Sequence, residues 1–294
     1  FLRNDKVAQE LAPDLILRFG LQPASKSLLN ALNKWNPDRH IYFSIPPERK
    51  KTSLPVTQTF HWSGQEFDLK PLRGGQDIWL SQWREAEEKY FDYSSTVTQK
   101  IESLTDGHVY QHFAEAIPEE WWIFFSNSFP ARDRSMFGHW KAQTVYTNRG
   151  VSGIDGINST HLGIGLGSAK AGILFTGDLA FLHDSNSLLN SRLADTPQVM
   201  VILNNRGGSI FRMLPIAEHQ AYFTPYFETP QKVDISQLCA SHGLPCRTIE
   251  TVAELNKFQL KRFTQESKGS LHIIECRTDP DASMQLRRKL WMKE

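Results

Sequence analysis

The chain has little cysteine: three residues in 294, with no C-x-x-C pair. That excludes a disulfide framework and a tetrahedral thiolate zinc site, and it fits a reducing compartment. A charge excess is also missing, since 33 Lys+Arg stand against 32 Asp+Glu for a formal +1. Without a clustered basic surplus, a nucleic-acid partner is not expected. Long hydrophobic runs are absent as well. The most apolar central stretch, Ala171 to Leu182, is interrupted by Asp178 and falls far short of the roughly 20 residues a spanning helix needs. Phe1-Leu2-Arg3-Asn4-Asp5 is no basic n-region followed by an apolar core, and there is no initiator Met. We therefore expect a cytoplasmic protein, no membrane partner, and a chain that begins inside a longer parent.

What is present is an ordinary soluble composition, 40% apolar and 22% charged, in a length suited to one large domain or two ordinary ones. The first eighty residues alternate strand and helix. Asp14 to Phe19 is a short apolar run ended by Gly20, Ser25 to Lys34 carries Leu28, Leu29 and Leu32 at helical spacing, and His40 to Ile45 is strand-like before Pro46-Pro47. These predict the back part of an α/β domain. Glu48 to Gly75 is polar and turn-rich, with Gly74-Gly75 marking a boundary. Trp79 to Leu104 reads as a charge-studded helix. Strand candidates then recur at Trp121–Phe125, Thr144–Tyr146, Gly172–Phe175, Val199–Leu203 and Leu271–Cys276, with helical stretches such as Leu179–Leu193 and Val252–Phe263 between them. That rhythm predicts an α/β fold with a parallel sheet covered on both faces. Ligands of such sheets bind beyond the carboxyl ends of the strands.

Four predicted strand ends carry unusual residues. They are Asn127-Ser128-Phe129-Pro130-Ala131-Arg132-Asp133, Asn148-Arg149-Gly150-Val151-Ser152-Gly153-Ile154-Asp155-Gly156, Gly177-Asp178-Leu179, and Asn204-Asn205-Arg206-Gly207-Gly208. Asp178 and Asn205 are 27 positions apart, one helix plus one strand, so a βαβ crossover brings the two strand ends side by side. A carboxylate, an amide oxygen and a backbone carbonyl from the glycine-rich turn would half-fill the shell of Mg²⁺. That ion takes its other ligands from water and substrate phosphate. Each piece also has a purely structural reading: Asp178 as a helix cap, and Asn204-Asn205 followed by Gly207-Gly208 as a turn. Their conjunction at this spacing favours a metal-bound diphosphate.

Gly177-Asp178, the intervening helix and Asn204-Asn205 resemble the diphosphate motif of thiamine diphosphate enzymes. With the Asn127–Asp133, Asn148–Gly156 and Asn204–Phe211 segments, the chain resembles the MenD family of 2-succinyl-5-enolpyruvyl-6-hydroxy-3-cyclohexene-1-carboxylate synthases. The likeness is strong over Asn127 to Pro215. Leu179 stands where the wider superfamily has Gly, in agreement with the MenD branch. The resemblance implies a thiamine diphosphate-binding α/β domain over 79–294, preceded over 1–78 by the tail of a middle α/β domain. It implies Asp178, Asn205 and the carbonyl of Gly207 as ligands of Mg²⁺ or Mn²⁺. Ile154, Gly177, Asp178, Leu179, Asn205 and Ile210 would bind the cofactor, with Ile210 the apolar prop that keeps it bent. Arg132, Arg149, Lys26, Ser128, Phe211 and Leu214 would meet substrate. The implied reaction is decarboxylation of 2-oxoglutarate and addition of the succinyl carbanion to isochorismate, in menaquinone or phylloquinone biosynthesis. The catalytic glutamate that activates the cofactor would lie upstream of this chain, leaving the fragment alone inactive. A homodimer or dimer of dimers is implied too. Two other readings stay open: a different thiamine diphosphate decarboxylase or ligase of the acetolactate synthase kind, and a non-catalytic diphosphate-binding module.

The remaining features point to structure. Gly163-Ile164-Gly165-Leu166-Gly167-Ser168 lacks the last Gly of a dinucleotide fingerprint, so close helix packing is expected. His108 and His112 are read as surface residues, while His183, just after the Asp178 motif, is open to two readings: approach to the site, or a position on a helix face. The three cysteines are expected as small buried fillers. The eight tryptophans read as core or interface material.

Overall fold

The computed structural model describes residues 1–294 except 21, 24, 45–53, 62–76, 142, 267–268 and 292–294. Pro46-Pro47 and Gly74-Gly75 lie outside the described residues. The chain forms two compact units, one of Phe1–Tyr93 with Trp291, the other Ser94–Leu290. The first therefore ends within the helix Asp77–Gln99.

The first unit carries a parallel sheet of β1 (Leu15–Phe19), β2 (Arg39–Ser44) and β3 (Gln58–His61), in that order. The helix Lys26–Lys34 makes the β1–β2 crossover. It starts where the Ser25 side chain accepts from the Leu28 N–H at 3.3 Å, an N-cap that satisfies one of the helix's free donors. Ala31, Leu32, Trp35 and Leu54 form the small core of this unit. β3 escapes the periodicity of the sequence because all four of its residues are exposed.

The second unit is built on six parallel strands: β4 (Trp122–Phe125), β5 (Val145–Tyr146), β6 (Gly172–Gly177), β7 (Gln198–Asn204), β8 (Cys246–Ile249) and β9 (Leu271–Arg277). Their order is β5-β4-β6-β7-β9-β8. All of β4, and all but the last residue of β6, β7 and β9, are buried. Helices cover both faces of the sheet, so these strands read as continuous apolar runs rather than alternations. The two edge strands are the exceptions: β5 is only two residues long and partly exposed, and β8 carries Arg247 and Thr248 in a short mixed pattern that gives no sequence signal. Two expected helices are broken. The Leu179–Leu193 stretch is a short α-helix, Asp178–His183, followed by 3₁₀ turns from Ser185 to Leu193, and Val252–Phe263 divides into Val252–Lys257 and Leu260–Glu266. Among the described residues, no helix is long and apolar enough to cross a membrane.

The glycine series lies in the helix Ile157–Ser168, where a side chain at Gly165 would collide with buried Gln198, while Gly163 and Gly167 face open space. Close packing therefore needs only the middle glycine. Cys239 and Cys276 are buried and Cys246 half-buried, all three free. The expectation for both histidines is corrected: His108 is buried and His112 half-buried, neither on the surface. His108 occupies the third position of the helix Asp106–Ala116, where its Nδ1 accepts from the Thr105 N–H at 3.2 Å and completes a capping box. A histidine takes the role usually filled by Glu or Gln.

Three helices of this unit are tied together by buried charge. Arg287, from the helix Pro280–Trp291, pairs with Asp106 at 2.5 Å and with Asp133 of the helix Pro130–Phe137, and its guanidinium lies 3.6 Å from the Phe129 ring centroid. All three charged side chains are essentially inaccessible to water. Removing the cation leaves two uncompensated carboxylates, so Arg287→Met is expected to cost about 3–5 kcal/mol. Urea unfolding at neutral pH measures this, and a loss of the size typical of a surface pair, below about 1 kcal/mol, would contradict it.

Candidate functional site

The sheet order creates a crevice. From β4 the chain moves outward to β5 on one side, then returns to β6 on the other. The carboxyl ends of β4 and β6 therefore sit where connections leave in opposite directions, the place where open α/β sheets bind ligands. A cavity of about 280 Å³ opens there, lined by the segments that follow β4, β5, β6 and β7.

Its floor is polar and buried. Asp178 opens the helix after β6, and its Oδ2 accepts the Gly207 N–H at 2.7 Å. The carboxylate thus holds together the ends of β6 and β7, as the 27-residue spacing predicted. Asn205 is buried beside it, and its Nδ2 donates to Asp106 Oδ2 at 3.4 Å. Gly207 has φ +116°, and a Cβ there would strike the Glu228 carbonyl oxygen. The turn therefore requires glycine on two counts. Arg212 clamps the following segment, donating through Nε to Glu228 Oε1 at 2.7 Å and pairing with Asp281.

The upper wall comes from the other two loops. Asn127 is buried at the end of β4 and donates to the Asn148 and Gly153 carbonyls at 2.7 and 2.6 Å. Its Oδ1 accepts from Arg149 Nη1 at 3.3 Å. One amide thereby fixes the β5 loop and aims its arginine. Arg132 donates to the Ser128 carbonyl at 2.6 Å, and Ser128 itself has φ +72°. The two guanidinium groups stand close enough that Arg149, after burial, contributes to lowering the pKa of Arg132. Two cations bordering one cavity suit a ligand with carboxylates, which planar guanidinium groups can grip in pairs of hydrogen bonds.

Electrostatics distinguishes the acids. Burial pushes Asp178 up to about 7, against backbone N–H donors of Leu179, Gly207 and Asp178 itself, and Asp106 raises it further. Burial also lifts Asp133, to about 6, with Arg287 opposing. For Arg287, burial works against the charged form but Asp133 and Asp106 outweigh it, and the net shift is upward. The floor is therefore short of positive charge at Asp178, where a cation would relieve the burial penalty. Among the described residues, no group of three or more His, Cys, Asp or Glu could hold a metal. One carboxylate with an amide oxygen and a carbonyl instead makes a partial oxygen shell, suited to a hard ion that keeps phosphate and water. The donor set fits a Mg²⁺- or Mn²⁺-bound diphosphate.

Of the residues singled out from sequence, Ser128, Arg132, Arg149, Ile154, Gly177, Asp178, Leu179, Asn205, Gly207, Ile210 and Phe211 all line this cavity. Leu214 is exposed next to it in sequence but is not in the lining, and Lys26 belongs to the first unit, exposed at the start of its helix. His183 is exposed. Sequence reasoning missed Asp106 and Tyr110, which line the cavity from the helix Asp106–Ala116, and Arg287 behind them. Asp106 follows Thr105 and looks like an ordinary first-turn acid. Its partners stand 99 and 181 positions away, beyond any local pattern.

Comparison with known proteins matches this region. The family profile described as thiamine pyrophosphate enzyme, C-terminal TPP binding domain, covers residues 136–275. All of this chain aligns with the 2-succinyl-5-enolpyruvyl-6-hydroxy-3-cyclohexene-1-carboxylate synthase of Rippkaea orientalis, 31% identical over 304 residues and 49% of that protein. The protein of the same name from Crocosphaera subtropica is 32% identical over 305 residues, again with all of this chain and 49% of the relative, and that from Bacillus cytotoxicus is 32% identical over 300, with all of this chain and 50% of the relative. The chain thus spans about half the length of the curated relatives it matches.

The raised pKa of Asp178 has a measurable sign. The folded state binds the proton more tightly than the unfolded chain, so the stabilisation is complete below the ordinary value of 3.8 and is lost as pH rises through about 7. In the absence of divalent cations, Asp178→Asn is expected to gain stability over wild type between pH 5 and pH 8, by on the order of a few kcal/mol. Urea unfolding of both proteins at the two pH values checks it, and parallel profiles would refute it.

Proposed function

From the premise that the chain belongs to the thiamine diphosphate-dependent enzymes, as a relative of the 2-succinyl-5-enolpyruvyl-6-hydroxy-3-cyclohexene-1-carboxylate synthases, we propose that it forms the diphosphate- and metal-holding half of such a synthase. One observation carries the proposal. Asp178, Asn205 and Gly207 meet on the floor of a single cavity at the sheet's switch point, within the segment matched by the thiamine pyrophosphate profile.

Asp178, Asn205 and the Gly207 carbonyl would hold Mg²⁺ or Mn²⁺, while Gly177 and Leu179 border the diphosphate and Ile154 and Ile210 the rings. Thiamine diphosphate, when bound, supplies the electron sink that lets a 2-oxo acid lose carbon dioxide and react as a nucleophile. The chain's own part is to bind, orient and keep water out. Arg132 and Arg149 would take the carboxylates of 2-oxoglutarate and isochorismate, with Ser128 and Phe211 shaping the pocket. The paired arginines favour this over an acetolactate synthase-like reaction, whose substrates bring fewer carboxylates. The only acids in the lining, among the described residues, are Asp106 and Asp178. Both are committed to holding the floor. We therefore assign the glutamate that activates the cofactor to the part of the relatives this chain does not match, in a homodimer or dimer of dimers.

The expected behaviour is binding without turnover. Calorimetry should detect thiamine diphosphate binding that needs Mg²⁺ and disappears in Asp178→Ala, while 2-oxoglutarate is not decarboxylated by the chain alone. Cofactor binding unchanged by Mg²⁺ or by Asp178→Ala would overturn the site. Steady carbon dioxide release by the chain would overturn the division of labour.

A further inference from the structure

We infer that Asp106 is a positioning residue for the cation site, because it fixes which end of the Asn205 amide faces the cavity. The inference rests on the functional reading above and concerns a residue on a different helix, far from the diphosphate motif in sequence.

An asparagine side chain presents an acceptor at one end and a donor at the other, and its direction is set by its hydrogen-bond partners. Only the oxygen can bind a hard cation. A carboxylate accepts and never donates while ionised, so an amide facing one must turn its nitrogen towards it. Asn205 does this, with Nδ2 directed at Asp106 Oδ2. At 3.4 Å the contact is long, so its contribution is direction more than strength. Oδ1 is left for the cavity and has no hydrogen-bond partner among the described residues.

Asp106 is itself held in one orientation. Arg287 donates to its Oδ2 at 2.5 Å, Thr278 Oγ1 to its Oδ1 at 2.6 Å, and its own N–H donates to Ser283 Oγ at 3.0 Å. The neighbouring Asn204 is fixed by the same device. Its Nδ2 donates to the buried Glu275 at 2.6 Å, and its Oδ1 accepts the Arg206 N–H at 3.2 Å. Two adjacent amides are thus oriented by two buried carboxylates from other elements, and Asn205 is the one whose oxygen is free.

Asp106→Asn keeps the shape but can donate as well as accept, so the Asn205 amide loses its fixed direction. Calorimetric titration of thiamine diphosphate into the intact chain at a series of Mg²⁺ concentrations reads the effect without requiring turnover. The Mg²⁺ needed for half-maximal binding should rise roughly 10–100-fold, as is typical when the group orienting a metal ligand is lost. Asp133→Asn, which disturbs the same ion network without touching Asn205, should leave it near wild type. The exchange Asp106→Asn with Asn205→Asp restores an oxygen at either end of the side chain and should recover the Mg²⁺ requirement, which a merely structural role for Asp106 would not allow. An unchanged requirement in Asp106→Asn, equal losses in Asp106→Asn and Asp133→Asn, or no recovery in the exchange would each overturn the inference while wild-type binding leaves the functional reading intact. A wild-type chain that binds no thiamine diphosphate with Mg²⁺ would overturn both.

Discussion

The second unit depends on one buried cation. Arg287 sits between Asp106 and Asp133, with a distance of 2.5 Å to the former, and stacks its charge over Phe129. Desolvating three charges is costly, and a well-packed apolar trio could stabilise the fold as well or better. What such a trio could not supply is fixed polarity. Asp106 ends against Asn205, Asp133 follows Arg132 in the helix Pro130–Phe137, and Phe129 stands just before the first turn of that helix. The ion cluster therefore joins three helices and, through Asp106 alone of its charged members, reaches the floor of the cavity.

The sheet topology explains why that floor lies where it does. Four successive strand ends face one side because all six strands are parallel, and the reversal at β4 separates the loops enough to leave a crevice. Strand ends are rigid, so a carboxylate placed there is positioned by the whole sheet rather than by a loop. Asp178 shows the consequence. Its bond to the Gly207 N–H joins two strand ends, and its burial lifts the carboxyl to about 7. A cation held there, as proposed, would relieve this burial cost, and its binding would be coupled to proton release.

How much of this was legible in the sequence follows from what local patterns can encode. The buried strands β4, β6, β7 and β9 were readable because a parallel sheet covered on both faces demands unbroken apolar runs. β8 and β3 were not, since each is short, polar and on an edge. The break in the expected helix after Asp178 was hidden too, because 3₁₀ turns from Ser185 to Leu193 reuse the same residue types in a tighter winding. The cavity lining was legible where motif and strand end coincide, as at Asp178, Asn205, Arg132 and Arg149. Asn127 has no local sequence signal for its role, because its two carbonyl partners lie in the β5 loop and only the fold brings them together.

Asp106 and His108 mark the other limit. Both lie in the first turn of one helix, where an acid and a histidine have ordinary local explanations, and for His108 the local explanation is correct: it caps the helix. For Asp106 it is incomplete. Its side chain reaches Thr278 and Arg287, both near the far end of the chain, and Asn205 on another loop. A first-turn carboxylate that merely favoured the helix dipole would gain more by staying solvated, because burial penalises the charged form whatever the dipole offers. Its complete burial, with Asn205, Thr278 and Arg287 all donating to its carboxylate, is therefore explained by what it holds rather than by the helix it starts. The proposed cation site then has two tiers: a motif that supplies the ligands, and a buried counter-charge from a distant helix that decides which way they face.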